Sequence, residues 1–434
     1  MTRQIDVTAI IPVYGRVDVF RTLKALEQFP HEGVALWAIV VDNGNADALS
    51  TRLKRLPDLY PWCSVIRLVE NRGGAGAFRA GMVTAVRHDG DFVWLLDDDA
   101  RVNAQTLPGL LSEYRRLEAE GVRVGAIGGA TLGLRDPNRA MEIGANISPF
   151  SGALRPRYRD VDIRSIRART EEVDYVAAAS LLVRTQVVRE VGPFADVFLH
   201  YDDIEWCFRA RRMGYRVFTT TRSVVNHAEW EGYFAPWVLY YDARNLLWFL
   251  RQYRPLACVV ARMKLSLQSL FLRMNGALPA ADLIALGVRH AKTGELLMRS
   301  VLPEVISKKL PLENVLIPNG NVIILAHSDY TASVLKRLAI ERNVRSYTIV
   351  FEGLGGSGLL GLVMTLVRTA WRHLLALGVL HTHPQTVLLF DVACTKGYPF
   401  PFWCRRQTLF QVNGESLSVF VYQSNSQAKK ESGK

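Results

Sequence analysis

The sequence predicts an α/β protein built on a mostly parallel central sheet. Apolar, β-prone runs without polar alternation recur between helix-period segments, each run is strand-length, and each ends in a polar cluster. Strands covered by helices on both faces read as continuous apolar runs, because neither face meets water.

VTAIIPV, Val7–Val13, is the first strand, and the helix after it, residues 17–28, sets Phe20, Leu23, Ala25 and Leu26 toward one side. A strand at residues 36–42, a helix at 48–56, a strand at 64–68, a helix at 75–86 and a strand at 92–96 follow. Ligands of such sheets bind beyond the carboxyl ends of the strands. The polar clusters Pro12–Arg16, Asp42–Gly44, Asn71–Gly76 and Asp97–Asp99 all fall there, and four in register imply a common site. Further on, a strand is expected at residues 125–131, then an irregular stretch to about Ile166 whose arginines (155, 157, 159, 164, 167 and 169) either approach a substrate or form a solvated basic loop. Residues 175–183 return to the core, 202–213 form a charged helix closed by Gly214, and a strand at 216–221 precedes His227.

A chain of 434 residues with 49% hydrophobic content has room for two or three domains. Its five cysteines are an odd number with no CxxC pair, which argues against a disulfide framework and a thiolate zinc site. No secretory leader is expected at Met1–Asp6. Residues 1–240 carry 30 Lys+Arg against 30 Asp+Glu, whereas residues 241–434 carry 23 against 11, so the whole formal charge of +12 lies in the second part. Without zinc-finger spacing or an RNP-like strand, no nucleic-acid partner is expected, and an anionic membrane surface is the better match. Residues 239–273, broken at Pro255, interleave leucines and aromatics with Arg251, Arg254, Arg262, Lys264 and Arg273. Such helices suit the plane of a bilayer or dock on a catalytic core. The uncharged stretch Gly353–Val367 is only 15 residues long, against the roughly 20 needed to span. Residues 322–351 show one more strand, helix, strand pattern, with the helix at 331–341. The division is therefore a catalytic domain at 1–240, an amphipathic helical region at 241–310, and a further C-terminal region at 311–434 of α/β character.

LLDDDA, Leu95–Ala100, closes an apolar strand with three consecutive carboxylates. Alternation at the strand end lets Asp97 and Asp99 converge while Asp98 points elsewhere. Their mutual repulsion calls for a cation, and a hard divalent ion shared with a diphosphate answers it economically. In NRGGAG, Asn71–Gly76, Gly73, Gly74 and Gly76 permit close backbone approach, and the following helix N-terminus favours phosphate. In HYDDIEW, His200–Trp206, one aspartate caps the helix and another is left for a substrate hydroxyl, while Glu205 either supports an acceptor or pairs with Arg209 at i+4. His227 completes the ion shell if the strand order returns it to Asp99.

Together, IIPVYGR (10–16), VVDNG (40–44), NRGGAGAFRAG (71–81), LLDDDA (95–100), YDDIEWCFRARRMGY (201–215), His227 and YYDARN (240–245) resemble the inverting family 2 glycosyltransferases of GT-A fold. The likeness is narrower to the galactofuranosyl- and rhamnosyltransferases of bacterial cell-envelope glycans, covers about residues 5–250, and departs beyond about residue 300. It implies that Asp42 meets the uracil or thymine ring, and that Pro12, Tyr14, Arg16, Asn71, Arg72, Gly74 and Asp98 lie on the donor side. Asp97, Asp99 and His227 would hold Mn²⁺ or Mg²⁺ and Asp203 would be the general base. Asp202, Glu205 and Trp230 would lie near the acceptor. The implied activity is transfer of galactofuranose from a UDP-sugar to a polyprenyl- or otherwise lipid-linked glycan, at the cytoplasmic face of a bacterial membrane, by a peripheral protein with room for a homo-oligomer. A dTDP-rhamnose donor is the nearest alternative, and a non-catalytic glycan-binding or scaffold protein is the alternative from another class.

Overall fold

A computed structural model describes residues 3–28, 33–167, 169–227, 238–274 and 278–293, and six strands beyond residue 305. The chain begins β1 (Ile5–Val13), α1 (Val19–Gln28), β2 (Val34–Asn43), α2 (Asp47–Lys54), the single turn α3 (Leu56–Leu59), β3 (Cys63–Leu68), α4 (Gly73–His88) and β4 (Phe92–Leu96). It continues through α5 (Thr106–Ala119), β5 (Val124–Gly133), the short strands β6 (Ala140–Glu142), β7 (Ala145–Ile147), β8 (Leu154–Pro156) and β9 (Thr170–Glu172), then β10 (Ser180–Arg184), α6 (Thr185–Val191), α7 (Asp202–Arg212) and β11 (Arg216–His227). Helices α8 (Val238–Tyr253), α9 (Pro255–Met274) and α10 (Leu278–Thr293) follow.

The α/β class and the mostly parallel sheet are as the sequence predicts. The main sheet runs β3-β2-β1-β4-β10-β5-β11-β9, with β6 beside β5. Strands β1 to β4 are mutually parallel and β5 is parallel to β11, while β10 runs antiparallel to both β4 and β5. Every residue of β4 is buried, as a strand covered on both faces requires. Gly81 lets α4 sit tightly on β1, since a Cβ there would lie 2.2 Å from Ile10 Cγ2. In α1 it is Val19, Leu23 and Leu26 that are buried, with Phe20 and Ala25 at the edge of the core.

One boundary differs from expectation in a way that matters for the site. The strand expected to stop at Thr221 continues to His227, past a register shift between Thr220 and Val224. The polar pair Arg222 and Ser223 hides this from an apolarity pattern. In the fold it is an irregularity where Ser223 Oγ donates to Thr106 O at 2.7 Å and Arg222 pairs with Glu113 at 3.0 Å. Beyond it, the strand end is pinned by the antiparallel Arg101–Asn226 bridge.

Contact clustering separates two compact units: residues 1–230 with 245–261 and 294–298, and residues 231–244 with 262–293 and 299–434. The second holds a six-stranded sheet of β12 (Ile306–Pro311), β13 (Val322–Ala326), β14 (Ser346–Val350), β15 (Val387–Asp391), β16 (Thr408–Asn413) and β17 (Ser416–Val421), ordered β12-β17-β16-β15-β13-β14. Both strands expected within 322–351 are present and pair in parallel. The helix expected at 331–341 lies outside the described residues, as does Trp230.

Candidate active site

The carboxyl ends of β1, β2 and β4 and the turn after β3 are knitted together by buried polar side chains. Asp42 is 0% exposed. Its Oδ1 accepts from Asn45 N at 3.1 Å and Asn45 Nδ2 at 2.8 Å, and its Oδ2 accepts from the Ser50 hydroxyl, with Arg67 Nε 3.6 Å away. Asn45 reaches the β1 loop, donating to Val13 O at 2.8 Å and accepting from Gly15 N at 2.7 Å. Asn43 reaches the glycine-rich turn, accepting from Arg72 N at 2.9 Å and donating to Asn71 Oδ1 at 3.0 Å and Gly73 O at 3.1 Å. Asp42, expected at the nucleobase, is here buried among the loops that it joins.

The glycines of the turn serve the chain itself. Gly73 has φ +70°, and a Cβ there would sit 1.9 Å from Phe198 O. Gly74 faces open space within 4 Å. Arg72 forms an ion pair with Asp196, and Asn71 Oδ1 also accepts from Gly73 N at 2.8 Å. Tyr14 and Arg16 are exposed at the β1 end and Pro12 is half-buried.

The acidic triplet divides as expected, although it lies in the turn after β4 and not in the strand itself. Asp97 and Asp99 converge on His227, whose Nε2 lies 3.3 Å from Asp97 Oδ2 and 3.0 Å from Asp99 Oδ1. Asp98 turns to Arg16, at 3.3 Å, and Arg16 also pairs with Asp99. Burial, more than repulsion by its neighbours, pushes the Asp98 carboxyl up to about 7 against the pull of Arg16. It is 4% exposed and pairs with Arg16, whose side chain is 55% exposed. Burial also works to raise Asp99, but hydrogen bonds and charge from His227 and Arg16 bring it down to about 2. For His227 burial favours the neutral ring, yet Asp97 and Asp99 hold the proton so well that the pKa rises to about 11. Ligand atoms of Asp97, Asp99 and His227 lie within 4.8 Å of one another. Two hard oxygens and one imidazole at that spacing are a donor set that would fit a divalent cation.

The second acidic group sits at the start of α7. Tyr201, in the left-handed region at φ 68°, is the N-cap, and it caps without a side-chain bond. Asp202 is the first helical residue, not the cap, and is buried. Burial, and then the neighbouring Asp203 charge, push its carboxyl upward. Asp203 is half-buried, and its oxygens accept from Ile204 N at 2.7 Å and Ala178 N at 3.2 Å. Burial raises its pKa too, and the nearby Asp97 adds to this. Glu205 makes the i+4 pair: Arg209 bonds it at 3.1 and 2.9 Å, and Tyr253 OH donates at 2.7 Å. Of the basic loop, Arg157 and Arg169 are held by Glu171 and Arg164 by Asp162, all within 2.8 Å.

Spacing gave no sign of Glu142, on β6. It accepts from Tyr175 OH at 3.3 Å, and burial with the charge of Asp203 raises it to about 7. A lone glutamate on a three-residue strand carries no periodic signal. Asn43 falls inside the polar cluster Asp42–Gly44 with no role of its own, and Asn45 lies just outside it.

Residues 8–171, β1 through most of β9, match Glycosyl transferase family 2. This segment is a family 2 glycosyltransferase domain. Galactofuranosyltransferase GlfT2 of Mycobacterium tuberculosis is 24% identical over 262 residues, which is 55% of this chain and 40% of that protein. Succinoglycan biosynthesis protein ExoO of Rhizobium meliloti is 32% identical over 120 residues, 27% of this chain and 32% of that protein. The chain thus matches less than half the length of either relative. Among solved structures, GalNAc-T7 with UDP, GalNAc and Mn²⁺ aligns over 70% of this chain and 59% of that one, at TM-score 0.49 and 12% identity.

The transferase domain is sensitive to its first turn glycine. Gly73→Ala should lose about 1–3 kcal/mol, because the added methyl meets the Phe198 carbonyl at a positive φ. Gly74→Ala, whose methyl meets nothing, should be neutral or stabilising by up to about 1 kcal/mol. Paired urea denaturation curves check the contrast.

Proposed function

We propose that the chain is a metal-dependent, inverting glycosyltransferase of GT-A fold that moves galactofuranose from UDP-galactofuranose to a lipid-linked glycan. The observation that carries the reading is the placement of a three-ligand cation set, Asp97, Asp99 and His227, beside an independently held carboxylate, Asp203, in a chain whose residues 8–171 match family 2. The likeness to galactofuranosyltransferases favours this sugar over rhamnose. The catalytic domain is taken as residues 1–240, the helical region as 241–310 and the C-terminal region as 311–434.

Asp203 takes the proton of the acceptor hydroxyl as that oxygen attacks the anomeric carbon. Each of its oxygens accepts one backbone N–H and keeps a lone pair for this. The bond from the anomeric carbon to the diphosphate oxygen breaks on the opposite face, the electron pair leaves with UDP, and the configuration inverts. Asp97, Asp99 and His227 would hold a divalent cation, whose charge would offset that of the departing diphosphate. Arg16, held by Asp98 and Asp99 yet open to solvent, adds a fixed positive group on the donor side. Asp202 lies beside the base and supports the acceptor side, as does Trp230 in this reading.

The membrane partner is assigned to α9. Leu256, Val259, Val260, Met263, Leu267 and Leu270 recur at helical spacing and are 49–85% exposed, and the helix contains Arg262, Lys264 and Arg273 but no acidic residue. An apolar stripe with only basic neighbours matches an anionic lipid surface. By contrast, Leu247, Phe249 and Leu250 of α8 are buried, with Phe249 edge-on to Phe208 at 4.9 Å. No helix among the described residues is long and apolar enough to cross a membrane.

A panel of UDP-galactofuranose and dTDP-rhamnose with a lipid-linked glycan acceptor should give UDP and transfer with the first; Asp203→Asn should cut transfer about 10²- to 10⁴-fold while leaving Mn²⁺-dependent UDP affinity intact, and the wild-type rate should fall with pH already above the ordinary aspartate range, since burial raises the base. Asp99→Asn should weaken Mn²⁺-dependent UDP binding in calorimetry, and unchanged affinity would remove Asp99 from the cation site. Sedimentation should show binding to anionic vesicles that weakens in high salt and with Met263→Ser/Leu267→Ser, and equal recovery on neutral vesicles would reject the lipid assignment.

A further inference from the structure

The segment that delivers the base to the site is strained. Phe198, His200 and Tyr201 all occupy positive φ, at 69°, 61° and 68°, and none is glycine. Such a run persists only where surrounding structure over-determines it. Two contacts do so. On one side, Phe198 O accepts from Ala75 N at 3.2 Å, and the absence of a side chain on Gly73 leaves that carbonyl its space. On the other, Asn245 Nδ2 donates to Leu199 O at 2.6 Å, His200 O at 3.0 Å and Val197 O at 3.2 Å.

Asn245 is fully buried, near the middle of α8. One amide nitrogen has two hydrogens for three carbonyls, so one bond is shared. Three acceptors around one atom also demand that the amino group, not the amide oxygen, point there. No other side chain of similar size offers this: aspartate brings negative charge to three carbonyls, and leucine brings no donor. The next residues after the clamped run are Asp202 and Asp203, and the first bond of α7 runs from Glu205 N to Tyr201 O at 3.0 Å.

We propose that Asn245 is a positioning residue for the transfer step: its side-chain amide holds residues 197–201 in their strained path and thereby sets where Asp203 stands. The glycine-rich turn grips the same loop from the donor side, so one short segment registers the base against the donor end of the sheet. The inference rests on Asp203 being the base. It names the role of the last residue of YYDARN, whose spacing alone says nothing of this.

The test compares Asn245→Ala with wild type and Asp203→Asn, using the full chain. UDP-binding sites are titrated with Mn²⁺, transfer from UDP-galactofuranose to an alkyl galactofuranoside is measured per titrated site, and amide hydrogen exchange is followed over residues 197–204. Faster exchange confined to that segment, with transfer per site lowered about 10²-fold and donor KM little changed, is expected, since a displacement of about 1 Å suffices for such a loss. A purely structural defect would instead lower the number of UDP sites and leave the rate per site alone, and that outcome overturns the proposal. So does unchanged exchange over 197–204. If Asn245→Ala behaves as expected while Asp203→Asn transfers normally, the clamp stands and the base assignment falls. Should Asn245→Ala fail to fold, Asn245→Ser, which keeps one hydroxyl donor, is read in the same way.

Discussion

Crowded negative charge at one end of the main sheet is the constraint around which the rest is organised. Asp97, Asp98 and Asp99 leave β4 in sequence, and Asp203 is close enough for its ionisation to feel Asp97. Like charges this close raise one another's energy unless they are protonated or paired. The fold uses both answers. Asp99 stays ionised between Arg16 and His227, whereas Asp98 is pushed toward neutrality by burial. The imidazole that answers the charge arrives from β11 only because that strand continues past its irregularity to the Arg101–Asn226 bridge.

The opposite face of the problem is how three neighbouring strand ends hold one register without the ligand. Asp42, Asn43 and Asn45 do this with short polar side chains that copy backbone geometry, linking the β1 loop, the β2 loop and the glycine-rich turn. Satisfied buried networks of this sort make a single geometry cheaper than its neighbours. Their residues belong to the same motifs that suggest donor contact, so a motif alone does not say whether its side chains meet the ligand or meet each other.

Helices α8 and α9 show a similar ambiguity resolved differently in each. Both mix leucine with arginine, and both suit either a bilayer or a protein core. In α8, Leu247, Phe249 and Leu250 are buried, with Tyr253 bonded to Glu205, whereas α9 leaves its stripe in solvent. Glu205 illustrates the consequence at the site: its acidic character suits an acceptor, and in the fold it is bonded by Arg209 of α7 and Tyr253 of α8.

The sequence by itself determined the class of fold, most strand positions, the convergence of Asp97 with Asp99, and the family, since alternation, apolar continuity and strand-end polarity are local properties. Strand order, and with it the arrival of His227, depends on pairing between distant residues, those of β11 and β5 being 91–94 positions apart. The same holds for the burial that sets the ionisation of Asp98, Asp203 and Glu142, for Gly73 facing Phe198, and for Asn245 facing residues 197–200. A side chain's charge and donors are written in its residue type. Which of them meet a ligand and which are spent on neighbouring chain is a matter of desolvation and contact, and those arise only when distant segments pack.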